Sequence, residues 1–295
     1  MADEFLHVHD GDLGYVPRPG VRGTVRDGGP VTIEANGLRF SGEKPASADA
    51  PILAVGDSFT YGEDVADLDA WPAQLQRLTG RTVLNGGVSG YGLDQIVLRT
   101  ERLTALHGLA MVIVSMIADD VRRTEMRRMW WHDKPWFALQ GGKLVLRGVP
   151  VPERRKPPTA VRRRMERLLI ELPPALQQFT GYSIRVHRAG TGAHISQALI
   201  ERLANLQTVS RVKFLLVAQY DADAWSGRRR AQEQRNVLRP LLECAAMHGI
   251  ATLDTFHRLA AEPRPGDFYG TLHMNARGNL MIASLLAARL RTWSS

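Results

Sequence analysis

From residue 51 onward the chain alternates between short apolar runs and longer amphipathic stretches. Continuous apolar runs of this length are typical of strands that are buried on both faces of a parallel sheet. The stretches between them carry apolar residues at helical spacing. This alternation predicts a doubly wound α/β fold, in which ligands bind at the carboxyl ends of the strands. The predicted strands are 51–55, 82–84, 111–114, 214–217 and 250–253, and the predicted helices are about 68–79, 92–107, 228–248 and 276–292.

The first 50 residues have a different pattern, with many glycines and prolines and only short apolar segments. Segments 31–33 and 38–40 flank Asn36-Gly37, a pair of residues typical of hairpin turns. We therefore expect a small β-rich extension over residues 1–50, followed by an α/β domain over residues 51–295.

The chain between the third and fourth predicted strands is too long for one crossover helix, so residues 122–210 are predicted to form an insertion. Its aromatic cluster has two interpretations. The rings could form the insertion's own small core, or a flat apolar wall over a substrate site, with Trp136 as a substrate contact. The cluster comprises Trp130, Trp131, Trp136 and Phe137, with a hairpin predicted around Gly141-Gly142 and helices at 160–171 and 193–208.

Composition narrows the function classes. Hydrophobic residues make up 44% of the 295 residues, which is enough for a sizeable core. The net charge is +8, but the arginine clusters at 154–156, 162–164 and 228–230 are short and are not interleaved with aromatics. They are typical of a solvated helical surface, so no nucleic-acid partner is expected. No stretch of about 18 apolar residues predicts a membrane span, and the N-terminus does not resemble a signal peptide, so a cytoplasmic protein is expected.

Three chemically suggestive segments follow predicted strands or precede the last helix. Ser58 comes directly after the first strand, the glycine-rich stretch Asn85–Gly92 after the second, and His273 just before the final helix. Alone, each is ambiguous, because Ser58 could cap a helix and His273 could lie at the surface. Together at one edge of the sheet they would supply a nucleophile, backbone N–H donors and a base.

These segments resemble three blocks of the SGNH/GDSL hydrolase superfamily. Gly56–Glu63 resembles its first block, Asn85–Gly90 its second, and His273–Asn279 its C-terminal block. The N-terminal extension and the insertion are similar to those of one bacterial branch. The resemblance implies a flavodoxin-like three-layer sandwich around a parallel sheet.

The resemblance also implies a mechanism. Ser58 attacks an ester carbonyl, His273 takes the serine proton, and the backbone N–H groups of Ser58 and Gly90 bind the oxyanion. The substrate would be a small-molecule ester, such as an acylated sugar, a lipid or a thioester, and the outcome hydrolysis or acyl transfer. No cofactor and no metal are expected, and the oligomeric state stays open.

Two positions depart from the superfamily pattern. The asparagine that donates a third oxyanion hydrogen bond is replaced by Ala118 or, one residue later, by Asp119, which could donate only if protonated. The aspartate expected two or three residues before the histidine is also absent. Asp267 is the predicted orienting acid, with Asp254 or a backbone carbonyl as alternatives. Two hypotheses therefore stand: an enzyme with a reduced oxyanion hole, and a catalytically impaired relative that binds an acylated or glycan ligand.

Overall fold

The structure of the protein, a computed structural model, describes residues 6–25, 28–106, 108–129, 132–153, 168, 172, 176–177 and 184–292. The N-terminal extension contains two antiparallel strand pairs. These are β1 (His7–Asp10) with β2 (Gly14–Pro17), and β3 (Arg22–Thr24) with β4 (Pro30–Thr32). The hairpin predicted over 31–33 and 38–40 forms, because the Phe40 N–H donates to the Thr32 carbonyl at 2.9 Å and the Glu34 N–H to the Leu38 carbonyl at 2.8 Å, around a bridge between Ile33 and Arg39. The other edge of the same segment pairs with β3.

The central sheet has five parallel strands, which confirms the predicted fold class. They are β5 (Ile52–Val55), β6 (Val83–Asn85), β7 (Met111–Met116), β12 (Lys213–Ala218) and β13 (Ala251–Asp254), all close to the predicted positions. Their order across the sheet is β6-β5-β7-β12-β13. The connection from β5 leads to β6 on one side of it, whereas the next connection leads to β7 on its other side. In open parallel sheets such a change in the direction of the connections leaves a crevice at the carboxyl ends of the two strands, here β5 and β7.

Helices cover both faces of this sheet. They are α1 (Ser58–Tyr61), α2 (Trp71–Thr79), α3 (Leu93–Leu106), α4 (Ala118–Arg123), α5 (Gly192–Ser210), α6 (Arg228–Met247), α7 (Phe256–Ala260) and α8 (Ala276–Arg291). Alternate residues of β5 point to opposite faces: Leu53 and Val55 pack with α3, α5 and α6, while Ile52 and Ala54 pack with α2 and α8. This gives the three layers of the predicted sandwich. None of the helices in the described ranges is both long and apolar enough to cross a membrane.

The insertion carries two small antiparallel pairs. They are β8 (Arg128–Met129) with β9 (His132–Asp133), and β10 (Trp136–Gln140) with β11 (Lys143–Arg147). The β10–β11 hairpin turns at the predicted Gly141-Gly142, where both residues have positive φ angles of 56° and 77°. It packs against α3 and α5. Trp130, Trp131 and nearly all of the predicted helix at 160–171 lie outside the described residues.

The N-terminal extension is bound closely to the α/β body. Gln95 of α3 donates a hydrogen bond of 2.8 Å to the carbonyl of Leu13. Arg102, also on α3, forms an ion pair of 2.7 Å with Asp10. Further along the extension, the backbone of Arg39 bridges Asn85 at the carboxyl end of β6. These contacts bring the extension to the edge of the sheet where the predicted site residues lie.

Candidate active site

Ser58 is the first residue of α1 and lies at the crevice between β5 and β7. Asp57 caps this helix, because its Oδ1 accepts a hydrogen bond of 3.0 Å from the backbone N–H of Phe59. The chain passes so close to its neighbours at Gly56 that a Cβ there would lie 2.2 Å from Thr60 Oγ1. Glycine is therefore required before the Asp57-Ser58 turn. The serine itself is only 5% exposed.

His273 reaches this serine from the loop before α8. The loop is fixed by a bond of 2.9 Å from Gly270 N–H to the His273 carbonyl, and Asn275 caps α8 by accepting from Gly278 N–H at 3.1 Å. The ring stands at the edge of Phe59, with 5.3 Å between centroids. His273 Nε2 lies 3.0 Å from Ser58 Oγ. The structure thus brings together the nucleophile and the base that the sequence predicts.

The other ring nitrogen of His273 contacts a residue that the sequence analysis missed. Nδ1 lies 3.0 Å from Oδ2 of Asp64. A carboxylate at Nδ1 keeps the proton there, so that Nε2 can accept the proton of the serine hydroxyl. Asp64 follows Ser58 by six residues in the chain. It returns to the serine because α1 is only one turn long and ends at Gly62, which has a φ of 86°.

The predicted acid Asp267 does not fill this position. Its carboxylate pairs with Arg264 at 3.1 Å, and its carbonyl accepts a bond of 2.9 Å from Asn275 Nδ2. The alternative, Asp254, accepts a bond of 2.9 Å from Phe256 N–H at the start of α7. Both predictions are corrected by the geometry of Asp64. Gly62 is the signal in the sequence that could have indicated Asp64, because a glycine there allows the chain to turn back towards Ser58.

The predicted backbone donors lie on two neighbouring segments. Gly90 has a φ of 77°, which glycine adopts readily. Its loop is held from outside, because the Tyr15 hydroxyl donates a bond of 2.8 Å to the carbonyl of Ser89. The same loop packs so tightly on α1 that a Cβ at Gly87 would lie 2.3 Å from Tyr61 N. Within the described part of the chain, neither the Ser58 nor the Gly90 N–H donates a hydrogen bond, so both are free for an oxyanion.

The end of β7, where the superfamily has its asparagine, carries an ionised carboxylate. Asp119 contacts Arg122 at 2.6 Å and Arg123 at 2.9 Å. Burial acts to raise the pKa of Asp119, but the two guanidinium groups outweigh it and hold this pKa below its usual value. The lowered pKa disfavours the protonated Asp119 that would be needed to donate to an oxyanion. Ala118 has no donor either.

Arg123 is the centre of a buried ionic cluster beside Ser58. Its Nη1 contacts Asp120 at 2.8 Å, the carbonyl of Tyr91 at 2.9 Å and Asp57 at 3.5 Å. Burial raises the pKa of Asp57. Burial, together with the neighbouring charge of Asp57, raises the pKa of Asp120 well above its usual value. The guanidinium thus ties the cap of α1, the segment after Gly90 and the end of β7 to one another.

Trp136 lies away from this centre. Its ring packs edge-on against His187 at 5.3 Å between centroids, and the backbone of Gly148 passes next to it. The neighbouring Phe137 is 1% exposed and belongs to the main core. Among the contacts of the described residues, none joins Trp136 to Ser58 or His273. This placement favours the interpretation of Trp136 and Phe137 as packing residues.

No protein-family model matches the chain, and a comparison of its sequence with curated proteins finds no match. Solved structures do resemble it. The lipase/acylhydrolase from Enterococcus faecalis is 12% identical, with a TM-score of 0.49 over 83% of this chain and 96% of that chain. The esterase EstA from Pseudoalteromonas sp. is 12% identical, with a TM-score of 0.47 over 83% of this chain and 98% of that chain. A GDSL-like lipase from Bacteroides thetaiotaomicron is 12% identical, with a TM-score of 0.47 over 85% of this chain and 93% of that chain.

By their descriptions these solved proteins are a lipase/acylhydrolase, an esterase and a GDSL-like lipase.

Proposed function

We propose that the protein is a serine ester hydrolase or acyltransferase in which Ser58, His273 and Asp64 form the catalytic triad. The observation that carries this proposal is the continuous chain of contacts from Ser58 Oγ to His273 Nε2 and from His273 Nδ1 to Asp64 Oδ2, each 3.0 Å long. A serine, a histidine and an aspartate in this order and at hydrogen-bond distance are the arrangement that activates a serine hydroxyl.

The first half of the reaction forms an acyl-enzyme. Ser58 Oγ attacks the ester carbonyl while its proton passes to His273 Nε2, and the carbonyl oxygen becomes an oxyanion. The tetrahedral intermediate then collapses. The bond from carbon to the leaving alcohol breaks, and His273 returns the proton to that alcohol. In the second half a water, or a second alcohol, attacks the acyl group by the same path and releases Ser58.

The free N–H groups of Ser58 and Gly90 are the proposed oxyanion donors. Each such donor typically contributes about 3–4 kcal/mol to the stabilisation of the transition state. A third, neutral donor has no equivalent at the end of β7, where the ionised Asp119 stands. We therefore propose a working but slower enzyme. The small-molecule ester it acts on is set by groups other than the triad.

The direct test is hydrolysis of a short-chain aryl ester by the wild-type protein and by Ser58→Ala. We expect measurable turnover in the wild type and a loss of about 10⁴-fold or more in the variant. Ser226→Ala, at the end of a surface 3-10 helix, is the matched control and should retain full activity. Turnover that survives Ser58→Ala would overturn the proposal. A folded wild type without turnover on a panel of aryl esters and thioesters would favour the ligand-binding alternative.

A further inference from the structure

The N-terminal extension contributes a buried arginine to the loop that carries Asp64. The side chain of Arg39 is 0% exposed. Its Nη1 donates to the carbonyls of Tyr61 and Gly62 at 2.6 and 2.5 Å, and its Nη2 donates to the carbonyl of Val65 at 2.6 Å. One guanidinium therefore holds three carbonyls that lie on both sides of Asp64.

The same guanidinium is anchored at the far end of the loop. Its Nε contacts Asp67 Oδ1 at 3.1 Å, and that oxygen also accepts a bond of 3.0 Å from the backbone N–H of Thr32. The backbone of Arg39 is fixed in turn, because its N–H donates to the carbonyl of Asn85 at 3.0 Å. The loop over residues 61–67 is thus bound to the extension through Asp67, and at its other end Asn85 Nδ2 at the edge of the sheet donates a bond of 3.4 Å to the Tyr61 carbonyl.

Asp64 has little else to hold it. Its side chain is 42% exposed, and within the described residues its only hydrogen bond is to His273. The direction of its carboxylate therefore depends on the backbone on either side. At Gly62 the backbone has a φ of 86°, and a Cβ there would lie 2.7 Å from Ala70 and 3.0 Å from Arg39 Nη1. This turn is compatible only with glycine, and it leaves the guanidinium room to reach the carbonyls.

We infer that Arg39 is a positioning residue for catalysis, which sets the carboxylate of Asp64 against His273 by fixing the loop over residues 61–67. This inference rests on the proposed function. It makes the extension a working part of the catalytic site rather than an appendage. Arg39 itself touches none of the reacting atoms, so its effect on the reaction must pass through Asp64.

Arg39→Lys is the variant that tests this inference. Lysine keeps the positive charge, but a single ammonium cannot reach the three carbonyls and Asp67 together. A shift of about 1 Å in a catalytic group costs roughly 100-fold in rate. We expect kcat on the aryl ester to fall by about that factor, with KM within about twofold of the wild type. Arg102→Lys, which alters the ion pair of the extension with Asp10 far from the loop, is the matched control and should keep its kcat.

A double-mutant cycle separates positioning from general damage to the fold. In an Asp64→Ala background the carboxylate is already absent, so Arg39→Lys should lower kcat no further. If Arg39→Lys lowers kcat by the same factor with and without Asp64, or leaves kcat unchanged, the inference is wrong. Should Arg39→Lys fail to fold, Asp67→Asn takes its place in the same cycle, since it weakens the anchor of Arg39 and leaves an acceptor for Thr32. Its smaller loss, about tenfold, must likewise vanish without Asp64.

Ser58→Ala, measured alongside, tells the two failures apart. If Ser58→Ala abolishes turnover while the coupling between Arg39 and Asp64 is absent, only the positioning role fails. If Ser58→Ala retains turnover, the proposed triad fails and the inference fails with it.

Discussion

Ser58 lies between two groups of charged side chains that differ in almost every physical respect. On one side, His273 and Asp64 form a simple chain in which the side chains are 16% and 42% exposed. On the other side, Arg123 is buried with Asp57 and Asp120, and Asp119 joins them at the end of β7. The first group keeps the geometry that proton transfer needs. The second is an ionic cluster at the position where the sequence resemblance implies a neutral amide donor.

Under the proposed function, this difference implies that the proton-transfer side and the oxyanion side of the site can change separately. The exposed chain affects the reaction much more than the fold, because solvent screens its charges. The buried cluster is expected to affect the stability of the fold more than the reaction. Removing one partner there leaves another charge buried and uncompensated, which is typically destabilising by about 3–5 kcal/mol. Substitutions of His273 and Asp64 should therefore act mainly on the rate, and substitutions of the buried partners Arg123, Asp57 and Asp120 mainly on stability.

The largest contrast is expected between two aspartates near His273. Asp64→Ala should lower kcat by about 10³-fold or more, because the histidine loses the carboxylate that holds its tautomer and orientation. Asp267→Ala should change kcat by less than about threefold, since its carboxylate only pairs with Arg264 at 3.1 Å. Steady-state kinetics on one aryl ester measures both. If Asp267→Ala lowers kcat more than Asp64→Ala does, Asp267 is the acid that orients His273, as the sequence predicts, and the role of Asp64 is contradicted.

On the other side of Ser58 we expect a smaller change in kcat, and this change is an increase. Asp119→Asn replaces a carboxylate that follows β7 and contacts Arg123, itself paired with Asp57 beside Ser58, by a neutral side chain with N–H donors. We expect kcat to rise about tenfold, which is a fraction of what one well-placed oxyanion donor provides. Asp49→Asn, a 66% exposed side chain that precedes β5 at the opposite edge of the sheet, controls for the change in net charge. An unchanged or lower kcat in Asp119→Asn would show that this carboxylate does not act on the oxyanion.

The buried cluster should also appear in the pH dependence of stability. Burial raises the pKa values of Asp57 and Asp120 in the folded state. The folded protein then binds protons more tightly than the unfolded chain, so the free energy of unfolding falls as pH rises above about 4. Asp119 changes the free energy of unfolding with pH in the opposite direction. Its pKa is lowered, so its contribution is present above about pH 4 and is lost as pH falls through its folded pKa.

Asp120→Asn isolates one of these contributions, because asparagine does not titrate. The variant should lose part of the fall in stability above about pH 4, by up to about 1.4 kcal/mol per pH unit for one proton. Urea unfolding of wild type and variant across pH 4 to 8 measures the difference. Two parallel curves would mean that Asp120 does not carry a raised pKa.

The smallest effect on the reaction is expected at Trp136. Trp136→Ala should leave kcat/KM and the preference for acyl chain length within about twofold, because the ring packs on His187 away from Ser58. It should instead lower the free energy of unfolding by about 1–2 kcal/mol, as truncation of a half-buried aromatic side chain does. A changed acyl preference in the folded variant would restore the hypothesis that this tryptophan covers the substrate.

The α/β fold could be predicted from the sequence because the pattern of apolar residues along a strand or helix follows which of its faces are buried. The runs at 111–114 and 214–217 are apolar at every position, since β7 and β12 are covered on both faces. The N-terminal extension was harder to predict. The Asn36-Gly37 turn predicted the bonds between residues 32–34 and 38–40, which form, but the short segment 22–24 carries no pattern to indicate that β3 pairs with the other edge of β4.

The site was accessible only where a residue follows a strand or precedes a helix. Ser58 and His273 stand at such positions, and the topology brings these positions together. Asp64 and Arg39 do not. Asp64 reaches His273 through a turn at Gly62, and Arg39 reaches the loop through side-chain bonds across the fold. Such contacts leave no periodic signal, and composition does not distinguish a buried arginine from a solvated one.

The measurement that tests the central claim most directly is the rate and position of covalent labelling by a fluorophosphonate. It reports the activated serine whether or not the natural ester is known. We expect one label per chain on Ser58 of the wild-type protein, slower labelling by about 10³-fold or more in His273→Ala, and none in Ser58→Ala. Labelling of another residue, or an equal rate in His273→Ala, would contradict the activation of Ser58 by His273.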